Sequence, residues 1–151
     1  MPEVQVGFSD GPAGAGYYQL MAKGPTMIVD IGFDPKYNSA APSVPIAGER
    51  GIEALVDTGA TESCIDTQLA TKLNLPVIDR QPIGGIGGKM MANIYLAQLY
   101  IPALNYVIYG NFAGVELVAG GQIHKALIGR TFLRNFTMTY SGPTGDVKIF
   151  S

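Results

Sequence analysis

An all-β domain with one or two short helices is the fold class this sequence predicts, and three observations predict it. The 20 glycines and 10 prolines among 151 residues cut the chain into short segments, which favours strands and turns over long helices. Apolar runs rich in Val, Ile and Tyr recur between those breaks, each bounded by turn-forming residues. With 47% apolar and only 15% charged residues, the chain can bury one proper core, and disorder is disfavoured.

Taken in order, residues 1–24 read as an N-terminal extension that adds an edge strand or lies over the body. Val4 to Phe8 alternate like a strand, and Gly11-Pro12-Ala13-Gly14-Ala15-Gly16 reads as a flexible link. Residues 25–151 form the main domain. Residues 27–33 are its first strand, ended by Asp34-Pro35, and residues 46–56 are the next, with a turn at Gly48-Glu49-Arg50-Gly51. Asp66 is placed to cap a short helix in which Leu69 and Leu73 share a face and which Pro76 stops. A glycine-rich hairpin tip follows at residues 82–90. Strands are expected at 92–101, 106–109 and 115–119, and Gly120-Gly121 breaks the pattern before residues 126–133, two apolar residues and a Gly followed by a short helical piece. Residues 136–140 and 147–150 read as a closing hairpin.

Chemistry concentrates in Ala54-Leu55-Val56-Asp57-Thr58-Gly59-Ala60-Thr61. An apolar strand delivers one carboxylate into a tight loop, and such a group is costly unless it is hydrogen-bonded, paired or chemically employed. Asp57-Thr58-Gly59-Ala60 resembles the signature of the retropepsin-like aspartic proteases. Gly85-Ile86-Gly87-Gly88 resembles the tip of that family's flap, and Leu127-Ile128-Gly129-Arg130 its second hallmark. Three motifs in the family's order cover residues 25–151. The helix soon after Asp57 makes the chain more similar to cellular and bacterial members than to viral ones.

The resemblance implies a closed β-barrel and an aspartic endopeptidase. Its catalytic residues are Asp57, Thr58 and Gly59, and its substrate-binding residues are Ala60, Gly85, Ile86, Gly87 and Gly88. Leu127, Ile128, Gly129 and Arg130 support the site, with the apolar pair threading behind the catalytic loop. One Asp-Thr-Gly per chain implies a homodimer in which both copies of Asp57 activate water on an extended peptide. No metal or other cofactor is implied. In viral members an Arg at the place of Arg130 pairs with an Asp, but that position is Thr61 here, with Glu62 beside it.

Rival readings are weighed on the same residues. The same fold without turnover makes a dimerisation or peptide-binding module. Gly84 to Lys89 lack the spacing of a phosphate loop or a dinucleotide fingerprint. Phosphoryl transfer through Asp57 lacks an acidic partner for a metal ion. Cys64, the only cysteine, and His124, the only histidine, lack a third group to make a nucleophilic pair. Cys64 reads as a small buried residue and His124 as a surface one. A net charge of −2 without a basic stripe argues against nucleic acid. No run has the length of a membrane span, and the start does not look like a signal peptide, so a cytoplasmic protein is expected.

Overall fold

A computed structural model describes residues 2–36, 47–85 and 88–151. Alternation of apolar residues sets most of its strands. In β2 (Thr26–Phe33), Met27, Val29 and Ile31 point inward, and in β10 (Asp146–Phe150) Val147 and Ile149 do the same. Between them in the chain lie β3 (Ala47–Val56), β4 (Cys64–Asp66), α2 (Thr67–Lys72), β5 (Val77–Gly85) and β6 (Gly88–Ile101). Then come β7 (Tyr106–Val115), β8 (Ala126–Ile128), α3 (Arg130–Leu133) and β9 (Thr137–Ser141). Two elements precede the body, β1 (Glu3–Gln5) and α1 (Gly16–Lys23).

Among the described residues, six strands close on themselves in the order β2-β3-β8-β4-β7-β6, because β6 pairs back to β2 through Ile31 and Leu99. Closure removes the open edges of those strands, and β5 hangs outside the ring as a hairpin with β6. Val29, Ile31, Ala97, Leu99, Phe112 and Ile128 fill the barrel. A separate sheet, β1-β10-β9, joins the two ends of the chain.

Four expectations need correction. Residues 48–51 lie inside β3 rather than forming a turn, and Arg50 and Gly51 bulge opposite Asp30 of β2. Gly51 takes a positive φ of 70° there, and its N–H donates to Asp30 Oδ1 at 3.0 Å. Residues 16–23, expected to be link and extension, contain α1. The expected strand at 115–119 is the end of β7 followed by turns. Asp66 stands at the N-cap position of α2 without a side-chain bond to that helix. Ile46, expected in β3, lies outside the described residues.

Candidate active site

Apolar pairing on both sides puts β8 behind the loop that starts at Asp57. β8 runs parallel to β3, with Leu55 opposite Leu127 and Val56 opposite Ile128, and antiparallel to β4, with Cys64 opposite Leu127. The Asp57 N–H donates to Ile128 O at 2.9 Å. The carboxylate is half-buried, and its Oδ1 accepts the Gly59 N–H at 2.8 Å. Thr58 and Gly59 are exposed and Ala60 is half-buried. Among the described residues no ion pair reaches Asp57.

The start of α3 fixes the rest of the loop. A helix leaves its first N–H groups without internal partners, and here Arg130 N–H donates to Ala60 O at 2.9 Å and Thr131 N–H to Thr61 O at 3.0 Å. Gly129 makes this approach possible: a Cβ there would lie 2.5 Å from Glu62 O and 3.0 Å from Ala60 O. Its N–H donates to the fully buried Ser63 Oγ at 2.9 Å, and that oxygen lies 3.4 Å from Thr131 Oγ1. Arg130 completes the brace, Nη1 donating to Thr58 O at 2.7 Å and Nη2 to Thr61 Oγ1 at 2.8 Å. Thr61 therefore takes the Arg130 contact as a neutral acceptor, and Glu62 makes no ion pair with Arg130. Neither the hydroxyl of Ser63 nor this use of Thr61 was read from the sequence. A polar residue wedged between the loop and Cys64-Ile65 was the available signal.

The β5–β6 hairpin keeps pairing to its end, with Gly84 opposite Lys89 and Gly85 opposite Gly88. Ile86 and Gly87 lie outside the described residues. Against this hairpin is a groove of about 540 Å³, walled by Ile83, Met90, Met91 and Ala92 on one side. Thr67, Val115 and Glu116 stand on its other walls, and Asp57 is not among its lining residues. The Thr67 hydroxyl donates to Glu116 Oε1 at 2.6 Å.

The cysteine–histidine alternative loses its chemistry. Burial, and then the Glu62 and Asp57 carboxylates, push the Cys64 thiol up to about 11, so the nucleophilic thiolate is strongly disfavoured at neutral pH. His124, expected at the surface, is 3% exposed, and its Nε2 lies 2.8 Å from Thr26 Oγ1. Among the described residues no three His, Cys, Asp or Glu side chains are grouped to hold a metal ion, and no helix is long and apolar enough to cross a membrane.

Comparison with known proteins identifies the family. The family model described as "gag-polyprotein putative aspartyl protease" matches residues 43–135, which is more than half of the chain. The chain belongs to this aspartyl protease family. Its closed barrel, β5–β6 hairpin and α3 form a retropepsin-like fold. Among solved structures, EIAV protease complexed with the inhibitor HBY-793 is similar at 20% identity over 74% of this chain and 86% of that one, with a TM-score of 0.49. A retropepsin-like aspartic protease from Rickettsia conorii is similar at 13% identity over 97% and 90%, with a TM-score of 0.49. The simian foamy virus (mac) protease, at 13% identity over 72% and 91%, has a TM-score of 0.46. Comparison with curated protein sequences gave no match.

Proposed function

We propose that this aspartyl protease family member is an active endopeptidase in which two copies of the chain each contribute Asp57. The observation that carries the reading is the state of that carboxylate. It stands at the end of β3 in a loop pinned by β8 and α3, and among the described residues no cation pairs with it. Two such groups at hydrogen-bond distance share one proton, because like charges that close resist double ionisation; this is the established argument for aspartic-protease dyads. The ionised partner takes a proton from water while the protonated one hydrogen-bonds the scissile carbonyl.

In this reading the catalytic unit is residues 25–151, with residues 1–24 laid against it. Thr58 holds the two loops together across the twofold axis, and Gly59 and Ala60 line the cleft. The hairpin tip, residues 85–88, acts as a flap over an extended peptide, whose side chains alternate between pockets. Leu127, Ile128, Gly129 and Arg130 keep the loop in place from behind.

The test compares the wild type with Asp57→Asn on a mixed peptide library from mildly acidic to neutral pH, with the oligomeric state followed by sedimentation. Cleavage is expected only from dimers, with a loss of at least about 1,000-fold in the variant and no change in dimer content. A well-formed dimer that cleaves nothing at any pH would instead assign the chain to the peptide-binding module, and a monomer that cleaves would remove the shared-site argument.

A further inference from the structure

Asp66 is a carboxylate only 3% exposed, and it takes no part in the dyad. A buried carboxylate is costly without strong partners. Its Oδ1 accepts two consecutive backbone N–H groups from a remote segment, those of Leu117 and Val118, each at 3.1 Å, the Leu117 N–H being shared with Val115 O at 2.9 Å. These are the N–H groups that the sequence would otherwise commit to a strand. Held this way, residues 116–122 fold into a compact turn in which Gly120 N–H donates to Glu116 O and Gln122 N–H to Leu117 O. The next residue along, Thr67, grips the same segment through Glu116. β4 pairs in parallel with the end of β7, Asp66 lying opposite Val115. Two side chains and a strand pairing thus fix Val115 and Glu116, which wall the groove facing the hairpin.

We propose that Asp66 is a positioning residue for substrate selection: by clamping Leu117 and Val118 it sets the wall of a groove that receives an apolar side chain of an extended peptide. The groove's chemistry fits that ligand. Ile83, Met90, Met91, Ala92 and Val115 offer apolar surface, while the flanking hairpin offers backbone groups for strand-like pairing. The proposal rests on the protease reading for the nature of the ligand. Asp66 touches neither the peptide nor the reacting atoms, so its loss changes peptide affinity and side-chain preference rather than turnover of bound peptide.

The experiment uses the full chain and extended peptides of about eight residues with a non-hydrolysable reduced amide at the centre and one apolar position varied in size. In Asp66→Ala, amide exchange at Val118 is expected to speed up by at least about 10-fold. The peptide Kd is expected to rise about 10-fold, with discrimination between small and large side chains lost. Asp66→Asn keeps a carbonyl acceptor at Oδ1 and is expected to restore both. With cleavable peptides the change falls on KM and leaves kcat within about threefold. Should Asp66→Ala not fold, Thr67→Val removes the Glu116 bond from the same clamp and is expected to weaken binding about threefold. The proposal is overturned by unchanged exchange in Asp66→Ala, by unchanged affinity in these variants, or by a wild type that binds none of the peptides. A wild type that binds them but cleaves no peptide removes the protease reading and leaves this one standing.

Discussion

At His124 the hydrogen-bond directions can be worked out from Thr26. The Thr26 hydroxyl donates its only proton to Gly24 O at 3.0 Å, so its oxygen must accept from the ring, and His124 carries its proton on Nε2. Burial is the main cause that lowers this histidine's pKa below the ordinary 6.5; Glu53 pulls it up and Lys23 pushes it down. A lowered histidine pKa means the fold prefers the neutral ring. Its contribution is complete above pH 6.5 and is lost as pH falls through the folded value. Glu49, lowered by its bond to Lys72, offset by burial and assisted by Lys125, acts only below its ordinary 4.5, so the two windows separate. Denaturant midpoints measured between about pH 7.5 and 5 should therefore fall more steeply for the wild type than for His124→Gln, which retains a donor toward Thr26. Parallel curves would show that the ring does not titrate differently in the folded and unfolded chains. A histidine between Ile123 and Lys125 reads as exposed because its burying partner lies 98 residues away, on β2.

The same contrast between local and distant causes decides which elements were legible. β2, β6, α2 and the β9–β10 hairpin follow from apolar spacing and nearby turn residues, and the structure has them close to where the sequence puts them. α1 was missed because its start lacks a local signal. Ala15 gives no side-chain cap, and the first turn is held by Asp10 Oδ1, which accepts the Gly16 N–H at 2.7 Å from six residues back. Residues 115–119 are mostly apolar and read as a strand, but Asp66 accepts two of the N–H groups a strand would use, sharing that of Leu117 with Val115 O. Where the loop after β3 meets the start of α3, Asp57 and Gly129 were legible as motif residues, whereas the means of joining the two segments, Ser63 and Thr61, was not. That junction yields a sharp expectation. A methyl group at position 129 would press on the Glu62 and Ala60 carbonyls, and both are backbone. Gly129→Ala is expected to cost about 2–3 kcal/mol by chemical denaturation and, under the proposed function, to lower peptide cleavage by displacing the Asp57 loop. A variant of wild-type stability would mean that α3 can slide away from the loop.

Over the whole molecule, one cluster of buried side chains runs from the closed barrel into the terminal sheet, and this decides what the first 24 residues do for stability. Val6, 1% exposed, and Leu20, 2% exposed, belong to the same cluster as Val29, Val147 and Ile149. Val6 N–H donates to Val147 O at 2.8 Å, and Val6 O accepts the Thr26 N–H at 2.8 Å, so the segment bridges the last strand and the first barrel strand. Removing residues 2–24 uncovers the partners of two fully buried side chains and leaves β10 with a bare edge. Burial of Val and Leu side chains contributes about 1.5–3 kcal/mol each. A loss of about 3–6 kcal/mol is therefore expected, against a total of about 5–15 kcal/mol for a domain. The truncated chain should unfold at a clearly lower denaturant concentration, and its exposed β10 edge should make it form larger assemblies in sedimentation than the full chain does. An unchanged midpoint would mean that the barrel holds its core without β1 and α1, which would make the segment dispensable for stability and leave a role at the surface as its only use.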